Sequence, residues 1–296
     1  MTTTKPLVSP EPVLRCAGVV AGHDGVAVVT GLDLVVSEGE VVALLGANGV
    51  GKTTTLLSIS GLIPLLGGKI EMFGQDLSAT QRNRFGLTRR SSRSKQVVDR
   101  ARAGIAHVPE DRALFFDLTV RQNLCLAARQ KASKRQAPRI QSSVEPVEPI
   151  GPVEPIGPVG TSGRAGLLTE AELLDQVLEY FPALVALLEQ PAGVLSGGQQ
   201  QMLAIGRGLM SQPKLLMVDE LSLGLAPILV EQLLPVLRSI AQTTGIAVLI
   251  VEQHVHLALA VSDRAYLLRR GKSAVSGTSA ELAARSDLVE AGYFGD

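Results

Sequence analysis

Cysteine is scarce in this chain: Cys16 and Cys125 stand far apart and form no spacing pattern. That excludes a disulfide framework and a cysteine-built zinc site, and it suits a reducing cytosol. No charge of either sign is in excess, since Lys plus Arg and Asp plus Glu number 28 each. Bulk charge therefore predicts neither a nucleic-acid binder nor an acidic tail. Aromatics make up only 3% of residues. The basic stretch from Arg82 to Arg102, with Arg89, Arg90, Arg93 and Lys95, accordingly lacks the interleaved rings of a single-strand nucleic-acid surface. It reads as a solvated loop and helix face, with contact to anionic headgroups or a partner as the alternative. Long apolar runs are missing too. Val41–Leu45 and Ile246–Val251 are five and six residues, where a bilayer span needs roughly twenty. Met1–Pro12 is polar, with no signal-peptide stretch. None of these segments is predicted to cross a membrane.

What the sequence does have is apolar substance: 46% of its 296 residues, ample for a sizeable core in one large α/β unit with insertions. Short β-rich pieces, Val26–Val29, Leu32–Val36 and Glu40–Leu45, precede a glycine-rich loop. The last piece is apolar enough to be buried on both faces of a parallel sheet. A helix is predicted from Lys52 to about Ser60, stopped by Gly61. Later, Leu215–Val218 and Ile246–Val251 flank a leucine-periodic helix over Pro227–Ala241, a βαβ pattern. The middle of the chain, from about Leu118 to Met210, reads as largely helical. Within it Val144–Pro158 is a strict three-residue proline repeat. The region 131–166 is predicted as an extended polyproline spacer, with partner docking as the alternative.

Gly46-Ala47-Asn48-Gly49-Val50-Gly51-Lys52-Thr53 fits the G-x-x-x-x-G-K-[ST] pattern. The glycines Gly46, Gly49 and Gly51 let consecutive backbone N–H groups, Asn48 included, turn toward phosphate oxygens. Lys52 would reach the β- and γ-phosphates of ATP, and the Thr53 hydroxyl would ligate Mg²⁺. The strand Leu215-Leu216-Met217-Val218 ends in two carboxylates. Asp219 is the candidate Mg²⁺ ligand, and Glu220 is placed to act as general base on an attacking water. In Leu195-Ser196-Gly197-Gly198-Gln199, Ser196 and Gln199 form a capping box opening a helix through Met210. Gly197 and Gly198 expose N–H groups there, a second anion site in one chain. Two such sites make sense if two chains pack head to tail, with each ATP between one chain's Gly46–Thr53 and the other's Ser196–Gln199.

With these motifs the chain resembles ATP-binding cassette ATPases, and more narrowly the ATP-binding subunits of branched-chain amino acid importers. Carrying the finer likeness are Gly46–Thr55, His107-Val108-Pro109-Glu110, Leu195–Gly206, Ser222-Leu223-Gly224-Leu225-Ala226-Pro227 and Val251-Glu252-Gln253. Urea and amide importers look similar, and exporter subunits share every catalytic residue. Soluble cassette proteins of DNA repair or translation usually carry two cassettes or a long coiled coil, which this chain does not show.

The resemblance implies an α/β P-loop NTPase (RecA-like) core with an N-terminal antiparallel β subdomain and an inserted helical subdomain. The whole chain, 1–296, would be one ATP-binding domain: core 11–110 and 211–282, helical subdomain 111–210, tail 283–296 with Tyr293 and Phe294. It also implies that His23 stands where an adenine-stacking aromatic is usual, that Thr54 joins the nucleotide site, and that Glu110 occupies the usual Gln position. From there Glu110 would approach Mg²⁺ or its water, and the residues after it would face the permease. The family's switch histidine aligns with Gln253, assigned to the γ-phosphate, with His254 the alternative. Leu221 replaces the usual Pro, and the loop after it lacks an Asp that many members use across the dimer. The implied cofactors are ATP and Mg²⁺. The implied partners are transmembrane permease subunits, a second cassette subunit (identical or related) and, indirectly, a periplasmic or extracellular solute-binding protein. No nucleic acid is implied, and the expected location is the cytoplasmic face of the cell membrane.

Overall fold

The computed structural model describes residues 12–77, 93–132 and 168–285. Two long strands open it, β1 (Pro12–His23) and β2 (Val26–Ser37), followed by β3 (Val41–Leu45) and α1 (Lys52–Ser60). Next come β4 (Leu65–Met72), the two-residue β5 (Gln75–Asp76), α2 (Arg93–Ala103) and β6 (Ile105–Val108). Three helices then form a separate lobe: α3 (Val120–Ala132), α4 (Glu170–Tyr180) and α5 (Gly197–Met210). The chain returns through β7 (Leu215–Asp219), α6 (Pro227–Thr244), β8 (Ala247–Glu252) and α7 (Val255–Val261). It closes with β9 (Arg264–Arg269), β10 (Lys272–Thr278) and α8 (Ser279–Ala284).

The strands make two sheets. One is antiparallel, in the order β2-β1-β4-β5; the other runs β10-β9-β3-β8-β7-β6. All neighbours in the second are parallel except the β9–β10 hairpin edge. This is the predicted α/β class, with its antiparallel β part and inserted helical lobe. The central strands are apolar throughout because both faces are covered. Val41, Ala43, Leu45, Val218 and Ile250 point into a core shared with α5 and α6. The alternate residues Val42, Leu44, Met217 and Leu249 meet the antiparallel sheet and Leu56 and Ile59 of α1.

The structure adjusts several predicted elements. Val26–Val29 and Leu32–Val36 are one strand, because Gly31 (φ +75°) is absorbed in a bulge where Leu32 pairs Val19 and Thr30 pairs Val20. Helix α6 runs on to Thr244 and stops at left-handed Gly245. Of the expected spacer, Lys131 and Ala132 complete α3, and the rest lies outside the described residues. So do 82–92 of the basic stretch and both Tyr293 and Phe294. The part of that stretch in α2 is not wholly solvated. Arg100 is 4% exposed and donates to the carbonyls of Ser58 and Ile59, satisfying the end of α1. Among the described residues no helix is long and apolar enough to cross a membrane.

Candidate active site

The carboxyl ends of β3, β8 and β7 lie side by side in the parallel sheet. Ligands of open α/β sheets bind beyond such ends. Each strand delivers one piece of chemistry there: the glycine loop from β3, Glu252-Gln253 from β8, and Asp219-Glu220 from β7.

The loop Gly46–Gly51 curls over the start of α1. Gly46 and Gly51 have φ +154° and +106°. A Cβ on Gly46 would lie 2.7 Å from the Leu268 carbonyl oxygen, and one on Gly51 2.6 Å from the Val29 side chain. Only glycine meets both demands, left-handed backbone and close approach. Ala47, Asn48 and Gly49 at the crest are exposed, whereas Lys52 and Thr54 are buried and Thr53 half-buried. The Lys52 ammonium donates to the carbonyls of Gly46 (2.9 Å) and Ala47 (3.1 Å) and stands 3.4 Å from Glu220 Oε1. A buried cation beneath exposed N–H groups at a helix start is an anion cradle.

Asp219 is 1% exposed. Neither of its carboxylate oxygens completes a hydrogen bond among the described residues. Burial is the main reason its carboxyl is pushed up from 3.8 to about 6; Glu220 and Glu110 add to this, while Thr53 and Lys52 draw it down. An orphaned buried carboxylate is costly unless something positive arrives. No cluster of three or more His, Cys, Asp or Glu exists among the described residues, so a dedicated protein cage is not what is built. One carboxylate, the neighbouring Thr53 hydroxyl and the charge of Glu110 form a sparse oxygen set. It fits a small hard cation whose remaining ligands are water and substrate phosphates.

Glu220 follows with φ +41°, a left-handed backbone unusual for a residue with a side chain. Its N–H donates to Val251 O at 3.0 Å, and Gln253 Nε2 donates to its Oε2 at 3.0 Å. Thus Gln253 and Lys52 hold the two oxygens of one carboxylate. His254, the alternative, is exposed and serves as backbone cap of α7.

Other expected residues sit further out. Glu110 is an exposed turn residue after β6 that acts on Asp219 only through charge. His23 is exposed at the end of β1, in a hairpin whose second strand packs Val28 and Val29 onto Gly51. Ser196, Gly197, Gly198 and Gln199 form the expected start of α5. Ser196 N donates to Gln199 Oε1 at 2.9 Å and Ser196 Oγ accepts from Gln199 N at 3.4 Å. No hydrogen bond or ion pair among the described residues joins this motif to Gly46–Thr53.

Two residues were given no role by the sequence. Arg112 gathers three segments: its guanidinium donates to Gln201 Oε1 (2.9 Å), Gln200 Oε1 (3.1 Å) and Leu223 O (3.4 Å). Glu252 is fully buried and accepts from Ser222 N at 2.9 Å, Ser222 Oγ at 2.7 Å and Gln253 N at 3.2 Å. Apart from the adjacent Gln253 N–H, these contacts join residues about 30 to 110 positions apart, and nothing local in the sequence signals them.

A glycine cradle with a buried lysine, a paired Asp-Glu at a neighbouring strand end and an inserted helical lobe define a P-loop nucleotide hydrolase of cassette type. Residues 29–222 match the ABC transporter family, and the chain belongs to that family as an ATP-hydrolysing ATP-binding subunit. It is 36% identical over 264 residues to the high-affinity branched-chain amino acid transport ATP-binding protein BraG of Pseudomonas aeruginosa, covering 88% of this chain and 90% of the relative. It is 28% identical to the lipopolysaccharide export system ATP-binding protein LptB of Haemophilus influenzae, covering 91% of each. Among solved structures it is similar to the ADP conformation of MJ1267, an ATP-binding cassette of an ABC transporter. The TM-score is 0.68 at 22% identity, covering 97% of this chain and 100% of the other.

Proposed function

We propose that this chain is the ATP-hydrolysing subunit of an importer for branched-chain amino acids, working through separate permease subunits. The observation that carries the hydrolytic half is the single carboxylate of Glu220, held between Lys52 and Gln253 beside the unpartnered Asp219. The likeness to BraG, closer than that to LptB at 36% against 28% identity, supports the solute.

In this reading the N–H groups of 46–53 and the Lys52 ammonium bind the β- and γ-phosphates, and Thr54 lies just behind them. Asp219 and Thr53, with Glu110 through water, hold Mg²⁺, which when bound neutralises phosphate charge. Glu220 takes the proton of the attacking water, and Gln253 orients that water and the γ-phosphate. His23 stacks on adenine. Ser196, Gly197, Gly198 and Gln199 complete the site of a second cassette packed head to tail, identical or related. ATP, bound more tightly by the closed pair, shifts the permease between its states.

The permease would dock beside Glu110. Phe115 and Phe116, 54% and 52% exposed, follow it in a chain poor in aromatics, next to a hollow lined by His107, Leu126 and Arg207. Exposed rings with an arginine suit a protein interface. The subunit would sit on the cytoplasmic face of the membrane, with a solute-binding protein contacting the permease and not this chain.

The test is uptake of labelled leucine, isoleucine and valine in cells whose only copy carries Glu220→Gln. Uptake should be lost and restored by the wild-type chain. Normal uptake would refute the amino-acid assignment and turn attention to urea and amides, or to export, for which the LptB likeness speaks.

A further inference from the structure

We infer that Glu252 is a positioning residue for the hydrolytic step, fixing Glu220 and Gln253 as one rigid unit through Ser222. The proposal rests on the reading of Glu220 as the base.

Glu220 is held in a conformation that L-residues avoid, φ +41°, and such a backbone persists only where its surroundings over-determine it. The restraints are unusually concentrated. On the near side, Glu220 N donates to Val251 O at 3.0 Å. On the far side, Ser222 N and Oγ donate to the Glu252 carboxylate at 2.9 and 2.7 Å. Both acceptors are consecutive residues at the end of β8. The same carboxylate takes the Gln253 N–H at 3.2 Å, and the Gln253 side chain returns to Glu220 Oε2 at 3.0 Å. A closed ring results: Glu220, Leu221, Ser222, Glu252, Gln253 and back to Glu220.

Chemistry at Glu252 fits no other role. The side chain is 0% exposed, so it meets neither water nor nucleotide. A buried carboxylate survives when donors satisfy it, and here both oxygens are used. Its neighbour Gln253 reaches Glu220, while Glu252 itself turns to Ser222. It therefore acts through Ser222 and Gln253 and not on the substrate. Loss of its grip would let Glu220 relax toward ordinary backbone angles and carry its carboxylate off line, while Lys52 and the glycine loop stay in place.

The test compares the purified full-length wild-type chain with Glu252→Gln, Ser222→Ala and the double variant, measuring kcat and KM for Mg-ATP and direct ATP affinity. Glutamine has the same shape but turns an NH₂ toward donors, leaving at least one N–H unanswered. We expect kcat to fall on the order of 10- to 100-fold, the scale of a ~1 Å misplacement, with KM and ATP affinity within about twofold. Ser222→Ala, which removes one donor, should lower kcat less, and the double variant should be no worse than Glu252→Gln. Wild-type kcat in Glu252→Gln, a parallel loss of ATP affinity, or additive effects in the double variant would each overturn the proposal. Should Glu252→Gln fail to fold, Ser222→Ala decides: a kcat loss at unchanged affinity supports the ring, and wild-type kcat overturns it. Glu220→Gln in the same assay separates the two readings. If it keeps wild-type turnover, the base assignment fails; if it is inactive while Glu252→Gln is not, only the ring fails.

Discussion

Replacing Asp219 by asparagine should make the nucleotide-free protein relatively more stable as pH rises, even though it removes the proposed Mg²⁺ ligand. In the folded chain the carboxyl is raised from 3.8 to about 6, burial being the first cause. The folded state thus binds the proton more tightly than the unfolded chain. Stability from this group is full below pH 3.8 and is lost as pH rises through about 6. The gap between the two values corresponds to about 3 kcal/mol above both, and relaxation of the site around the charge discounts that to about 1–3 kcal/mol. Asparagine does not ionise, so it escapes the loss. In chelator and without nucleotide, the melting temperature of Asp219→Asn minus that of wild type should grow by on the order of 3–8 °C between pH 4 and pH 8. Differential scanning fluorimetry across that range measures it. Mg²⁺ with ATP should then raise the wild-type melting temperature much more than that of the variant. A difference that stays flat with pH, or shrinks, would refute the picture of an orphaned buried carboxylate.

Two further outcomes follow from the geometry. Gly51→Ala places a Cβ 2.6 Å from the Val29 side chain at φ +106°, which should cost about 2–4 kcal/mol and abolish ATP binding, read by melting and by nucleotide titration. Tyr180→Phe removes the 2.5 Å bond from the α4 phenol to Thr243 of α6, a tie between the helical lobe and the core. It should lower stability by about 0.5–1.5 kcal/mol in urea unfolding.

Much of the site was legible because its chemistry is local. Gly46–Thr53 and the Ser196/Gln199 capping box are short segments whose backbone demands are written in adjacent residues. The apolar strand before Asp219 is readable for the same reason, since burial on both faces leaves no alternation to confuse it. Helix α1 starts at Lys52 and stops at Gly61 as expected because a left-handed glycine ends it. Reading failed where tertiary contacts decide. Glycine suggested a break at Gly31, but pairing with β1 absorbs it in a bulge. Charge suggested a solvated Arg100, but the open carbonyls of α1 draw it inside. Arg112 carries no pattern, and Glu252, though within the Val251-Glu252-Gln253 motif, gives no local sign of its role, since their distant partners arrive only when strands and helices meet. The choice between Gln253 and His254 was open in the sequence for a related reason: adjacent residues at a strand end differ in which one turns toward the neighbouring strand.

The most direct test of the central claim is phosphate release from Mg-ATP by the purified chain, wild type against Glu220→Gln. The account predicts that Glu220→Gln binds ATP with undiminished affinity while turnover falls on the order of a hundredfold or more, as expected when a general base is removed. Turnover by Glu220→Gln at the wild-type rate would contradict it.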